Sequence, residues 1–543
     1  MIWTSARQLR LVLSAWARRA SSSADLAKPK ADGSGRDSLG RRLLSLIYPK
    51  RSALVVLRKW AEEGKTIQKY QLNRVVRELR KYKRFKHALE GVDSVYDVSE
   101  TAKDIKSVFL TFHCQVPRAT ASLGMICEWM TTQPQIKLLP GDYAVHLDLV
   151  AKIRGLASAE KFFEDLPDRM KGQSTCTALL HTYVQNKLPD KAELVLKEMM
   201  AHGFLTCPLP YNHMLTLYLS TGELDKVPKL IKELKRNTTP DVVTYNLWLT
   251  FCTRKGCPEA AEMIYHEMRK EKVAADWITY SLLANIYIKS GCHDKGREAL
   301  MEMEKRASRK VRAAYCSLLS LHAILSDKDS VDRIWNKMRL IFRKLSDVEY
   351  KCMLSSLTKL GCIEEAENVY SEWESVSGTR DSRVPNIILS FYINNNMISK
   401  AESFHEHTVQ IGIKPSYSTW ELLALGQLGR KRMDKALACL EKAFSSLEEW
   451  EPNVQLVRAF FRELEKNGDV EGAEELLVML RHAGYVTTEI YNSLLRTYAE
   501  ACKMPLIVAE RMKEDGVLMD EESKQLLRLT SKFCVGGTST LIS

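Results

Sequence analysis

Long hydrophobic runs are missing from this sequence of 543 residues. No apolar stretch approaches the roughly 18 residues that a membrane-spanning helix requires, and the run at 53–57 is only five residues long. We therefore expect no membrane association. With 45% hydrophobic and 27% charged residues, the chain can still bury a large core.

Sequence motifs of catalysis and metal binding are also missing. The chain contains no GxxxxGK[ST], no GxGxxG after a strand, no HExxH and no GxSxG. Its 13 cysteines include no CxxC pair, and the C-terminal segment lacks the HxE and CxxC pair of a zinc deaminase. We therefore expect no enzyme activity, no metal site and no cofactor.

Positive charge is concentrated near the N-terminus. Residues 1–90 hold 22 Lys and Arg against 7 Asp and Glu, whereas the other 453 residues hold 58 against 60. The first 24 residues combine four arginines with apolar residues and serines and contain no acid, which is typical of an organellar transit peptide. We assign residues 1–37 to a mitochondrial transit peptide, with a plastid as the alternative, and 38–70 to a basic N-terminal segment.

An internal repeat of about 35 residues occupies most of the chain. Helix starts led mainly by an aromatic residue recur at 33 to 37 residue steps, at Tyr143, Cys176, Tyr211, Tyr245, Tyr280, Tyr315, Tyr350, Pro385, Trp420, Val457 and Tyr491. Sixteen residues after each of the first ten stands a small or β-branched residue: Ala159, Ala192, Val227, Ala261, Gly296, Val331, Ala366, Ala401, Ala436 and Ala473.

Each unit reads as two amphipathic helices that approach closely at the small residue, with a turn near Gly256, Gly291, Gly361 or Gly468. One unit cannot cover its own apolar faces, so stacking must bury them. The sequence therefore predicts an all-α fold, a right-handed α-solenoid superhelix of about 11–12 helix-turn-helix repeats. The aromatic column belongs to the core of that fold.

Two further sequence features identify the kind of repeat. Units open with segments such as Val-Val-Thr-Tyr-Asn at 242–246 and Glu-Ala-Ala-Glu-Met at 259–263, and the Leu-Gly pair of tetratricopeptide repeats is absent. Over about residues 71–515 the chain resembles the P class of the pentatricopeptide repeat family. The segment 79–90 is similar to the plant organellar members.

This resemblance implies binding of single-stranded RNA at one base per repeat. The implied base-reading pairs are Asn212 with Asp241 and Asn246 with Asp276 for uracil, and Asn386 with Ser416 for cytosine. The other pairs depart from the family pattern, among them Lys351 with Asp381 and Arg458 with Thr487. The alternative is that these asparagines are structural first-turn residues.

A basic helix precedes the regular array. Seven cations lie within one short stretch and are candidates for contacts with the RNA backbone: Arg74, Arg77, Arg80, Lys81, Lys83, Arg84 and Lys86. The alternative is a solvated N-terminal cap. Residues 91–125 interrupt the period and read as an insertion or a degenerate repeat, and 516–543 as a C-terminal cap and tail.

Together these features predict a monomeric, non-catalytic mitochondrial protein that binds single-stranded RNA and supports transcript stability, processing or translation. One alternative is a structural subunit on mitoribosomal RNA, with the mitoribosome or processing proteins as partners. The other is a protein-interaction scaffold, favoured by the nearly neutral charge of the array.

Overall fold

The computed structural model describes residues 137–376, 381–446, 453–505 and 507–532, together with isolated residues at 39, 42, 56, 59, 60, 62–64, 70–72 and 130. Every regular element in the long ranges is a helix, and they contain no strand. None of the described helices is long and apolar enough to cross a bilayer. The chain divides into two compact units, Met1–Arg306 and Ala307–Ser543.

The described part of the first unit contains five helix pairs. They are α1 Pro140–Arg154 with α2 Leu156–Glu164, α3 Gln173–Gln185 with α4 Pro189–Ala201, α5 Leu209–Thr221 with α6 Val227–Asn237, α7 Val242–Lys255 with α8 Pro258–Lys270, and α9 Trp277–Lys289 with α10 His293–Arg306. Each first helix contacts its own second helix, and successive first helices of this unit contact one another. This stacking is the predicted solenoid arrangement.

The described part of the second unit contains six pairs and a last single helix. They are α11 Arg312–Ile324 with α12 Lys328–Ile341, α13 Asp347–Leu360 with α14 Ile363–Val376, α15 Pro385–Asn394 with α16 Ile398–Gln410, α17 Tyr417–Gly429 with α18 Met433–Ser445, α19 Val454–Asn467 with α20 Val470–His482, α21 Thr488–Glu500 with α22 Val508–Glu514, and α23 Glu521–Ser531. First helices again contact one another in succession.

The small-residue column lies where the two helices of a pair meet. All nine of its Ala and Val members are fully buried. At Gly296 an added Cβ would stand 2.8 Å from Cγ1 of Ile288, so this position has no room for a side chain. The column therefore sets the distance between the helices of a pair, as the sequence predicts.

The column tyrosines are core residues. Tyr211, Tyr245 and Tyr491 are fully buried, and their hydroxyls reach the second helix or closing turn of the same pair. Tyr245 Oη donates to Glu267 Oε1 at 3.2 Å, for example. Burial is the main cause that raises the pKa of Tyr350 to about 12. These contacts confirm a structural role for the aromatic column.

A left-handed residue follows the first helix in ten successive pairs. The position eleven residues after the column residue has φ between 52° and 88° throughout, and it is occupied by Lys187, Gly222, Gly256, Gly291, Ser326, Gly361, Asn396, Lys431, Gly468 and Cys502. Glycine adopts this conformation without strain. The predicted glycine turns are therefore confirmed, and five repeats make the same turn with a residue that carries a Cβ.

Candidate nucleic-acid interface

Asn246 and Asp276 meet in one hydrogen-bond network in the first unit. Asn246 lies in the first turns of α7, and Asp276 caps the N-terminus of α9. Asn246 Nδ2 donates to Asp276 Oδ1 at 3.1 Å, and the Thr279 hydroxyl lies 2.7 Å from Asn246 Oδ1 and 3.1 Å from Asp276 Oδ1. The backbone N–H of Thr279 also donates to Asp276 Oδ1 at 3.0 Å. The two predicted partners are thus joined across adjacent repeats.

The preceding repeat has the same network. Asn212 Nδ2 donates to Asp241 Oδ1 at 3.1 Å, and the Thr244 hydroxyl lies 2.8 Å from Asn212 Oδ1. A carboxylate only accepts hydrogen bonds at neutral pH, so the amide atom facing it must be the nitrogen. Both asparagines are therefore held in one orientation, with one amide N–H still available for another acceptor.

Asn386 and Ser416 form a weaker version in the second unit. Asn386 Nδ2 lies 3.5 Å from Ser416 Oγ, and the Thr419 hydroxyl donates to Asn386 Oδ1 at 2.9 Å. Ser416 supplies a neutral hydroxyl in place of a carboxylate, and the amide–hydroxyl bond is at the limit of hydrogen-bond distance. Asn386 is half-buried.

The structure contains a fourth network, which was not among the pairs predicted from the sequence. Asn492 Nδ2 donates to Asp520 Oδ2 at 3.1 Å, and the Ser523 hydroxyl donates to Asn492 Oδ1 at 2.6 Å. The Tyr-Asn dipeptide at 491–492 is a usable signal, because 211–212 and 245–246 have it too. Its partner lies in the segment interpreted as a cap and tail, beyond the last predicted repeat.

In two of the pairs that depart from the family pattern, the basic residue forms an ion pair. Lys351 Nζ lies 3.7 Å from Asp381 Oδ2, and Arg383, with Lys351 in a lesser role, lowers the pKa of Asp381 to about 2. Arg458 forms a two-point contact with Glu489, at 2.7 and 2.9 Å, and does not pair with Thr487 in this way. At these repeats the side chains next to the column residue already have charged partners.

The asparagines of the first unit are almost completely covered. Asn212 is 1% and Asn246 3% exposed, whereas Asp241 and Asp276 are half-buried. A buried amide that lacked partners would destabilise the fold, so the network stabilises the stack whether or not a base binds. A base can reach either amide only if the side chains around it move.

A set of exposed cations near the ends of first helices is a second candidate feature of the interface, and the sequence analysis did not single it out. In the first unit Arg254 is the last residue but one of α7 and Lys289 is the last residue of α9; in the second unit Lys359 is the last residue but one of α13. Each stands nine residues after its column tyrosine. All three are exposed, and no carboxylate of the described residues pairs with them. Partial desolvation by the surrounding protein lowers the pKa of Arg254 and of Lys359.

The seven predicted backbone-contact cations between Arg74 and Lys86 lie outside the described residues, and so does the segment 91–125. No group of three metal-binding side chains occurs in the described part of the chain.

Comparison with known proteins shows similarity to one family over most of the chain. Models described as the PPR repeat family, the PPR repeat and the pentatricopeptide repeat domain match residues 240–289, then 174–204, 278–307 and 350–376, and finally 208–252. A mitochondrial pentatricopeptide repeat-containing protein of Arabidopsis thaliana is 51% identical over 509 residues, which cover 94% of this chain and 89% of the relative. Another Arabidopsis pentatricopeptide repeat-containing protein is 35% identical over 84% of this chain and 82% of its own.

Among solved structures the chain is similar to the pentatricopeptide repeat protein PPR10 in complex with an 18-nucleotide psaJ RNA element, with a TM-score of 0.47 and 16% identity over 89% of this chain and 74% of that one. It is also similar to yeast Rmd9p in complex with a 16-nucleotide target RNA, with a TM-score of 0.36 and 13% identity over 77% of this chain and 94% of that one. The mitochondrial localisation predicted from the N-terminus agrees with the first relative. The repeat models and the relative at 51% identity establish that this chain belongs to the pentatricopeptide repeat family.

Proposed function

We propose that this pentatricopeptide repeat protein binds single-stranded RNA in mitochondria without catalysis, and thereby supports the stability, processing or translation of a transcript. The observation that carries the proposal is the identical asparagine–aspartate–threonine network in two consecutive repeats, at Asn212 and Asn246. Two adjacent networks would select two adjacent bases.

The chemistry of the network favours uracil. Asn246 uses one N–H on Asp276 and one lone pair of Oδ1 on Thr279, which leaves one donor and one acceptor site on the amide. The Watson–Crick edge of uracil offers carbonyl acceptors beside the N3–H donor, so an amide can meet it with two hydrogen bonds. The aspartate fixes which amide atom is the donor, and this orientation is what gives selectivity.

The unpaired cations supply the second part of RNA affinity, which is independent of sequence. When Lys or Arg binds a phosphate, counterions are released from the RNA. The binding constant therefore falls as the salt concentration rises. Arg254 lies in the repeat of Asn246, and Lys289 lies in the next repeat, whose first helix is capped by Asp276. Both cations are exposed, and neither has an ion-pair partner among the described residues. We assign them to the phosphates of the strand.

A structural role on mitoribosomal RNA is the second candidate. The ion pairs Lys351–Asp381 and Arg458–Glu489 occupy the side chains that would otherwise read bases in the second unit. An array that reads few bases is suited to ribosomal RNA, because other contacts fix the position of that RNA. A protein-interaction scaffold is the third candidate and predicts no RNA affinity.

Crosslinking of the tagged protein to RNA in intact mitochondria, followed by sequencing of the bound RNA, separates these candidates. The informative variant is Asn246→Ala with Asp276→Ala, and the matched control is Asn186→Ala with Asp190→Ala, which removes an exposed amide and an exposed carboxylate outside the networks. The thermal unfolding of both variants is compared with that of the parent protein, because Asn246 is buried and its replacement destabilises the fold if the network is stabilising.

A short footprint with adjacent uracils, lost in the Asn246 variant and kept in the control, is the expected result. A footprint confined to ribosomal RNA and unchanged in both variants would contradict base reading and favour the structural role. The absence of any crosslinked RNA would overturn RNA binding as a whole.

A further inference from the structure

A cluster of exposed cations lies on two consecutive connecting loops of the second unit. The loop at 307–311 precedes α11 and carries Arg309 and Lys310; the loop at 342–346 precedes α13 and carries Arg343 and Lys344. All four side chains are exposed. We call these four residues the loop cations.

The two loops are held together by contacts of their neighbours. Arg312 Nη2 donates to the backbone carbonyl of Lys344 at 2.8 Å, while Nη1 pairs with Glu349 at 3.1 Å. The Arg312 guanidinium also stacks over the ring of Phe342 at 4.4 Å, and Phe342 packs edge-on against Tyr315 at 5.8 Å. The loop cations therefore stand on a fixed frame.

No acid of the described residues neutralises the loop cations. The stretches 305–312 and 333–346 contain ten Lys and Arg and no Asp or Glu. The neighbouring Arg312 and Arg339 each pair with a glutamate, whereas the described part of the chain offers the four loop cations none. Four uncompensated charges on adjacent loops create a local positive field in an array that is otherwise nearly neutral.

The surroundings of these residues favour contacts with a sugar–phosphate backbone. Surfaces that bind unpaired strands provide aromatic side chains on which bases stack. The aromatic residue of this loop, Phe342, is 9% exposed and committed to the core. Consecutive helices in a stack lie about 8–10 Å apart. Each strand of a duplex carries about two to three phosphates over that distance, at roughly one per 3.4 Å of the duplex axis.

We propose that the loop cations bind the phosphate backbone of double-stranded RNA. None of the loop cations takes part in the asparagine networks. The inference extends the proposed function, on which it rests, to transcripts in which a stem flanks the bound single strand. The contact is electrostatic and follows the shape of the duplex without reading its sequence, as is usual for proteins that bind double-stranded RNA.

The test uses the mature full-length protein and three RNA probes: a blunt duplex of about 16 base pairs, the length that a double-stranded RNA domain covers, a single strand with two adjacent uracils, and that strand joined to a stem. The variant is Arg309→Gln, Lys310→Gln, Arg343→Gln and Lys344→Gln. The bond from Arg312 survives, because it uses the backbone of Lys344. The matched control is Lys400→Gln, Lys435→Gln, Lys503→Gln and Lys513→Gln, four exposed cations of the same unit.

We expect the loop variant to bind the duplex at least about tenfold more weakly and to lower the slope of log K against log salt by roughly 3 to 4, the number of lost phosphate contacts times about 0.9. Affinity for the single strand should be unchanged. The control should retain the slope and affinity of the parent protein for the duplex.

Equal duplex binding by the parent and the loop variant would overturn the proposal, as would the absence of duplex binding by the parent at low salt. Equal competition by a polyglutamate peptide of matched charge would also overturn it and indicate an acidic protein segment as the ligand. Failure of the single-strand probe alone would count against the proposed function, and the duplex measurement would then decide independently whether the loop cations bind RNA.

Discussion

The hydroxyl of Thr279 provides a direct test of the asparagine–aspartate–threonine network. In Thr279→Val a methyl group of similar size replaces the hydroxyl, so Asn246 Oδ1 loses its 2.7 Å partner while the packing volume is kept. Thr279 is fully buried and Asn246 is 3% exposed, so water cannot readily replace the lost bond. An unsatisfied buried acceptor costs about 1–3 kcal/mol.

We expect Thr279→Val to lower the free energy of unfolding by that amount in urea denaturation monitored by circular dichroism. The slope of the free energy of unfolding against urea concentration should not change. Thr279→Ser is the matched control because it keeps the hydroxyl; Ser523 performs the same role for Asn492 at 2.6 Å. The double variant with Asn246→Ala measures the coupling between the two side chains, which we expect to be about 1 kcal/mol, within the range for residues in one network.

Two outcomes would contradict a stabilising network. If Thr279→Val were as stable as Thr279→Ser, the hydroxyl would contribute nothing and the network would be a geometric coincidence. If the coupling with Asn246 were near zero, the two side chains would act independently. Thr244→Val should behave like Thr279→Val, because Thr244 holds Asn212 in the same way.

Other expectations concern stability, pH and localisation. Ser326→Gly should stabilise the protein by about 0.5–1 kcal/mol in urea unfolding, because Ser326 has a left-handed φ of 56°; destabilisation would contradict the strain. Tyr218→Phe should cost about 1 kcal/mol by removing the 3.0 Å bond to Glu193, and an unchanged urea midpoint would argue against that bond. Burial lowers the pKa of His213 to about 3, so the unfolded chain binds the extra proton and stability should fall as pH drops from about 6.5 towards 3; His213→Leu should weaken this pH dependence, and an equal dependence in both proteins would exclude His213 as its source. Removal of residues 1–37 should abolish import of a fluorescent fusion into mitochondria, and normal import would refute the transit peptide.

The sequence was a good guide where one rule repeats in every unit. The small column from Ala159 to Ala473 is buried at each described position, and glycine marks the left-handed turn at Gly256 and Gly361. The same turn at Lys187 and Cys502 could not be predicted from residue type, because neither residue is typical of a positive φ. Only the constant spacing from the column residue reveals it.

The base-reading candidates were predicted less completely. The structure joins Asn212 to Asp241 and Asn246 to Asp276 by hydrogen bonds, and base reading by these pairs stays a prediction. The near-total burial of both amides does not follow from the sequence. Burial of these amides depends on the distance between adjacent first helices, and the repeat period alone does not determine that distance. The pair of Asn492 with Asp520 was missed because 516–543 was interpreted as a cap and tail, although α23 begins 33 residues after α21, within the range of the repeat.

The repeat period was enough to specify the fold, because units of about 35 residues with one small and one aromatic column can bury their apolar faces only by stacking. The family and the N-terminal charge also follow from the sequence. Which polar side chains are partners is a property of the folded chain. Lys351 turns to Asp381, Arg458 to Glu489 and Arg312 to the carbonyl of Lys344 across distances of about thirty residues in the chain. Such contacts depend on the exact placement of neighbouring helices. Sequences with the same repeat period share that placement only approximately, because it depends on how the individual side chains pack.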